Sequence, residues 1–272
     1  MKRSHEVTTM NSAVESTSSP VPAIRASRLL ATLRLAGLLG DTAASMVALV
    51  WRGLVAGPDD RRAARAAQRW ASRTLRRCGV RVDVRGPLPT SPAVLVANHR
   101  SYLDIAVLLS QVPCHFLAKK ELASWPVLGP AARHANTVFV DRSDGASRRG
   151  ARDSLARAVA GGATVAVFPE GTTTAGPGLL PFRPGVFAMA AAQAVPIIPV
   201  AVWYDRPEVA WVGDDEFVPH FLECFSERTT IAHVSFGPQA SHVEPMELCR
   251  STWSWIARCL SECGQPNARR MQ

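Results

Sequence analysis

The stretch Ala93-Val94-Leu95-Val96-Ala97-Asn98-His99-Arg100-Ser101-Tyr102-Leu103-Asp104 decides how this chain folds. Residues 93–97 are a short apolar run, which reads as a strand buried within a sheet. Such a strand delivers a histidine and a carboxylate together at its C-terminal end, where open α/β sheets place their sites. An imidazole ordinarily titrates near pH 6.5, so it takes a proton from a hydroxyl at cellular pH once its tautomer and orientation are held. Asp104, about one helical turn further on, is placed to hold them.

Other strand-like runs end in the same way. Residues 164–167 lead into Phe168-Pro169-Glu170-Gly171-Thr172, a second strand end presenting a carboxylate, a glycine and a hydroxyl. Val138-Phe139-Val140 runs into Asp141-Arg142, and 195–200 makes a further apolar run that reads as a strand over 197–203. Short strands are expected at 114–118 and 230–236. Helices are expected at 105–111, at 148–160 with Leu155, Ala156 and Val159 on one face, at 184–194, and at 245–263 with Trp253, Trp255 and Ile256 inside. Gly161-Gly162 stops the second of these. The alternation predicts an α/β fold, a mixed, mostly parallel central sheet flanked by helices. Residues 205–245 are the least readable, and there is no internal repeat.

Ahead of this domain the composition changes. Residues 1–23 are rich in Ser, Thr and Pro and are expected to form a disordered tail without a secretory signal. From 24 to 85 the chain reads as a helical, basic, membrane-associating segment, the α/β domain as 86–264, and 265–272 as a C-terminal tail. Over 26–55 the leucines recur at helical spacing, but Arg34 and Asp41 interrupt a run about as short as a minimal span, so an interfacial or re-entrant anchor is expected. Over 60–79, Arg61, Arg62, Arg65, Arg69, Arg73, Arg76 and Arg77 place an arginine stripe on the next helix.

Composition agrees with a membrane-facing protein. Hydrophobic residues make up 47% of the 272 residues, enough for a sizeable core. Lys+Arg 31 against Asp+Glu 22 leaves a net charge of +9, which favours anionic partners such as a phospholipid surface. Nucleic acid is not expected, because only Trp70 is interleaved with the arginines. The six cysteines and the remaining histidines show no metal-ligand spacing. No Gly-x-Ser-x-Gly elbow is present, and in the near P-loop at 171–176 Pro177 and Gly178 stand where lysine and Ser/Thr are required.

Taken in order, the box of His99 and Asp104, the Lys119-Lys120-Glu121-Leu122 segment, Arg142, the Phe168 to Thr172 box, Phe182-Arg183-Pro184-Gly185 and the 195–200 run resemble the glycerolipid acyltransferases, specifically the bacterial 1-acylglycerol-3-phosphate acyltransferases. The resemblance covers about 90 to 204. It implies that His99 is the general base and Asp104 its support, that Arg142 binds the acceptor's phosphate, and that Glu170, Gly171 and Thr172 lie along the glycerol phosphate site. Lys119 and Arg183 are further candidates for that phosphate. In the family an arginine often follows the Phe168 to Thr172 box; here Thr173 stands instead, one positive charge fewer near the head group.

The expected function is transfer of a fatty acyl group from acyl-CoA or acyl carrier protein to the free hydroxyl of 1-acylglycerol-3-phosphate, giving phosphatidic acid, at the cytoplasmic face of the cell membrane. No cofactor or metal is expected. Another lysolipid acceptor, such as an ornithine lysolipid, is compatible with the same chemistry. A reading from a different class makes the chain a non-catalytic basic membrane or nucleic-acid adaptor, in which the arginine stripe is the working element.

Overall fold

The computed structural model of the protein describes residues 27–57, 59–124, 129, 132, 137–141, 143–176, 178–226, 229–241 and 244–263. Two helices, α1 (Arg28–Ala56) and α2 (Asp60–Arg77), precede β1 (Val80–Arg85), β2 (Val94–Ala97), α3 (Leu103–Gln111) and β3 (His115–Lys119). There follow β4 (Val138–Val140), α4 (Gly145–Ala160), β5 (Val165–Val167), α5 (Gly185–Ala192), β6 (Ile197–Tyr204), α6 (Phe217–Cys224), β7 (Thr230–Phe236) and α7 (Pro245–Cys263). The strands form one sheet in the order β1-β7-β6-β2-β5-β3-β4. Every neighbouring pair is parallel except β6 with β7. This is the mixed, mostly parallel sheet flanked by helices that the apolar runs predict.

All four residues of β2 are buried because the sheet is covered on both faces. Leu95 and Ala97 face one core with Leu75 of α2, Leu108 of α3 and Phe221 of α6. Val94 and Val96 face the other, with Leu155 of α4, Phe187 of α5 and Ile256 of α7. Local signals set the helix ends. Asp144 caps α4 by accepting from the amides of Ala146 and Ser147, and Gly162, at φ 83°, turns the chain away after it.

Three expectations change here. The helical segment does not run to 85: α2 ends at Arg77, Gly79 turns the chain at φ 72°, and Val80–Arg85 is strand β1. Its alternation of Val80, Val82 and Val84 with Arg81, Asp83 and Arg85 is a strand period, and its partner β7 lies some 150 residues away in sequence. Within 205–245 a short helix, α6, carries Pro219 in its first turn, where a missing amide costs nothing. Trp253 is exposed rather than inside, although its indole N–H donates to the Leu180 carbonyl at 3.0 Å.

Helix α1 turns Leu38, Leu35 and a set of polar side chains to the protein and most of its large apolar ones outward. Arg34 donates to the Phe225 carbonyl at 2.8 Å, Thr42 accepts from the Trp70 indole at 3.0 Å, Ser45 accepts from Arg73 at 2.8 Å, and Asp41 is forked by Arg77. Leu29, Leu33, Val47, Val50, Trp51, Leu54 and Val55 are exposed. The two charges that interrupt the apolar run are therefore the ones that dock the helix. The expected tails at 1–23 and 265–272 lie outside the described residues.

Candidate active site

Strand β2 lies between β5 and β6, so three adjacent parallel strands end on one edge of the sheet. Directly after β2, the buried Asn98 extends the ladder with its side chain: its Oδ1 accepts from Val202 N and its Nδ2 donates to Val202 O, both at 2.8 Å. This fixes the direction in which the chain leaves the sheet and presents the next residue, His99.

The His99 ring approaches Asp104 with Nδ1 2.8 Å from Oδ2. Asp104 sits in the first turn of α3, where the helix dipole favours a carboxylate, and is completely buried. The backbone amides of Arg100 and Ser101 also donate to Oδ2, at 2.6 and 3.0 Å, and the Tyr204 hydroxyl donates to Oδ1 at 2.6 Å. A carboxylate holding that many donors is acceptor-only, so the ring proton belongs on Nδ1 and Nε2 is left with its lone pair. Among the described residues Nε2 has no partner. The ring is stacked on Phe168 with centroids 4.0 Å apart at 11°, and Phe168 in turn meets Phe116 at 6.2 Å. A base with a fixed tautomer, a fixed plane and one open nitrogen suits removal of a proton from a bound hydroxyl.

Glu170, expected along the glycerol phosphate site, is held by the backbone of two other segments. Its Oε1 accepts from His99 N and its Oε2 from Leu180 N, both at 2.9 Å, and the residue is 5% exposed. Burial pushes this carboxyl up from its ordinary range, and the two amide bonds pull it back. Its visible work is to tie the ends of β2 and β5 to the 178–180 loop. Arg100 strengthens the same loop: its buried guanidinium donates to the carbonyl and hydroxyl of Thr174 and, at 2.9 Å, to Gly178 O.

Gly171 stands at φ 77°, and a Cβ there would fall 2.6 Å from Cζ of Arg183. The left-handed turn favours glycine there, and the Arg183 side chain lies directly against it. Thr172 and Arg183 are exposed beside it, and Lys119 is exposed at the end of β3, two strands along from β2. Arg142 lies outside the described residues. The structure thus brings His99, Asp104, Glu170 and Gly171 together with Arg183 at the mouth and leaves Lys119 further out. Sequence reasoning missed Asn98, Arg100 and Tyr204. No sequence signal marks Tyr204, because its bond to Asp104 spans 100 residues and exists only once β6 lies beside β2.

Comparison with known proteins gives this geometry its context. Residues 80–203 match the family model described as Acyltransferase. The chain is 34% identical over 223 residues to the lyso-ornithine lipid O-acyltransferase of Rhizobium meliloti, covering 72% of this chain and 76% of that protein. It is 35% identical over 202 residues to the protein of the same name from Pseudomonas aeruginosa, covering 71% and 78%. With the 1-acyl-sn-glycerol-3-phosphate acyltransferase of Neisseria gonorrhoeae it shares 35% over 142 residues, 48% of this chain and 56% of the other. The fold is similar to the crystal structure of the 1-acyl-sn-glycerophosphate acyltransferase PlsC from Thermotoga maritima, at a TM-score of 0.68 and 21% identity over 89% of this chain and 98% of that one. β1 and the strand ends around His99 lie within the region matched by the family model, and the relatives 34–35% identical over more than two thirds of this chain show where it belongs: it is a member of the lysophospholipid acyltransferase family.

Proposed function

We propose that this enzyme moves a fatty acyl group from an acyl thioester, carried by CoA or acyl carrier protein, to the free hydroxyl of a lysolipid. The observation that carries the reading is the open Nε2 of a His99 ring held through Nδ1 by buried Asp104. Nε2 takes the acceptor's hydroxyl proton as the oxygen attacks the thioester carbonyl. The tetrahedral intermediate then collapses, the C–S bond breaks, and the departing thiolate recovers the proton from the imidazolium. Asp104 stabilises that transient cation from a site closed to water. The substrate's hydroxyl fills the place of an enzyme serine, so no acyl-enzyme forms. A non-catalytic adaptor would have no use for a buried carboxylate orienting an open base.

For the acceptor we favour a lyso-ornithine lipid over 1-acylglycerol-3-phosphate. Such a lipid carries an amino-acid head group in place of a phosphate, and Thr173 removes one cation from beside the glycine turn. The names of the relatives that align over some 70% of the chain point the same way. Arg183 against Gly171, together with the motif position of Arg142 in the sequence, favours the phosphate acceptor as the second reading. A panel of lysolipids offered with one labelled acyl donor separates the two. The ornithine lysolipid should be used with a kcat/KM about tenfold or more above the phosphate lysolipid, the equivalent of one missing charge-assisted bond. A preference of that size in the opposite direction would establish phosphatidic acid as the product.

We place the enzyme on the cytoplasmic face of the cell membrane, with α1 lying in the interface. The helix is long and apolar enough to span, but its polar side bound to α2 and the 225 carbonyl supports an orientation along the protein surface. The arginine stripe on α2 is divided. Arg62 pairs with Asp59, Arg73 and Arg77 hold α1, and Arg65, Arg69 and Arg76 remain exposed. Arg69, Arg73 and Arg76 line a cleft of about 420 Å³ beside α3 together with Gln68, Ser72 and Ser110. Trp51 and Leu54 are 67% and 79% exposed, so replacing both with serine should leave the melting temperature unchanged. Vesicle partitioning should fall by at least about tenfold, since each buried side chain of that size contributes about 1.5–3 kcal/mol. Undiminished partitioning in a flotation assay would remove α1 from the membrane interface.

A further inference from the structure

We propose that Tyr204 is a positioning residue of the acyl-transfer site, acting on His99 through Asp104. The inference rests on the reading of His99 as the base. The contacts on Asp104 are unevenly placed. Oδ2 takes His99 Nδ1 and the amides of Arg100 and Ser101, all from the segment that follows β2. Among the described residues Oδ1 takes only the Tyr204 hydroxyl, which arrives at 2.6 Å from the end of β6, 100 residues further along the chain. That contact sets the rotation of the carboxylate about its Cβ–Cγ bond. Without it the carboxylate is anchored through Oδ2 alone, and its plane tilts about that oxygen, which worsens the alignment of Oδ2 with Nδ1. Asp104 is completely buried, so water does not replace the lost donor.

The hydroxyl also sets how strongly the carboxylate holds the imidazolium. A donor on Oδ1 draws negative charge away from the histidine side, so its removal should let the ring keep its proton to higher pH. Burial, and then the adjacent carboxylate, push the Tyr204 phenol well above its ordinary range, so it remains a donor throughout. Arg100 and Glu170 from the strand ends and Tyr102 from the start of α3 also lie within electrostatic reach of this pair. They are unchanged when Tyr204 alone is replaced.

The test uses purified full-length enzyme, a lysolipid acceptor and an acyl thioester. Tyr204→Phe should lower kcat by about tenfold or more, the rate equivalent of one hydrogen bond to a charged group. KM for both substrates should stay within about twofold, and the acid limb of kcat/KM should move to higher pH. A lower melting temperature with kcat and the acid limb unmoved would show Tyr204 to be structural only and overturn the proposal. The chain contains two tyrosines, Tyr102 and Tyr204, so growth on 3-fluorotyrosine in a Tyr102→Phe background labels Tyr204 alone and keeps its shape. The stronger donor should move the acid limb to lower pH; no movement would again overturn the role, even if Tyr204→Phe failed to fold. NMR titration of the labelled His99 ring separates this inference from the one beneath it. A wild-type acid limb that does not follow the ring refutes His99 as base, while the ring's response to the two Tyr204 replacements still decides the positioning role.

Discussion

His99→Ala is expected to lower kcat by about 100- to 10,000-fold, the usual cost of losing a general base. The protein should remain folded. The His99 side chain is 15% exposed, its replacement removes one of four donors from Asp104, and the Arg100, Ser101 and Tyr204 bonds stay in place. Phe168 loses the ring stacked on it but keeps its contact with Phe116. Lysolipid binding should also be largely retained, because the imidazole acts on the hydroxyl proton and holds no head group. Turnover of a labelled acyl donor, with thermal unfolding as the control, measures the effect. Acyl transfer surviving within a factor of about ten would be too fast for a missing base, and the histidine-dependent mechanism would have to be withdrawn.

Asp104→Asn should cost a comparable factor, for a reason the structure sharpens. The two backbone amides at Oδ2 demand an acceptor there, so the asparagine oxygen should take that position and its NH₂ should face the Tyr204 oxygen, which turns to accept. Shape and tautomer are then kept, and what disappears is the charge. In a site closed to water a neutral amide supports an imidazolium poorly, and several kilocalories of transition-state stabilisation are at stake. The acid limb of the pH–rate profile should move to lower pH, opposite to the shift expected for Tyr204→Phe. Activity should not recover at high pH, because the imidazolium must still form during the reaction. His99 and Asp104 act as a unit, so the double variant should be little slower than either single one. Two independent, multiplying losses would show that Asp104 works through something other than His99.

The apolar runs before His99 and Glu170 identified β2 and β5, because strands buried on both faces have no polar residues to interrupt the pattern. They also located the His99–Asp104 pair, since the four residues between the two form a local turn closed by local hydrogen bonds. Charge and composition pointed to an anionic membrane partner, and the arginine spacing on α2 was visible as a helical stripe.

What remained hidden depended on contacts between residues far apart in the chain. β1 follows an arginine-rich helix and is recognisable chiefly by its pairing with β7. The roles of Arg34 and Asp41 were invisible, because an apolar helix carrying two charges reads as a weakened span until α2 and Phe225 are placed beside it. Glu170 reads as a substrate ligand in its motif, yet its oxygens are taken by the amides of His99 and Leu180, one of them 71 residues away. Tyr204 shows the same limit from the other side: nothing in residues 197–204 announces a bond to Asp104. The sequence alone determined the strand ends and the His99–Asp104 pair, whose geometry is local. Tertiary structure decided which side chains hold that pair and how the N-terminal helix sits, because those hydrogen bonds exist only once separate segments have been buried against one another.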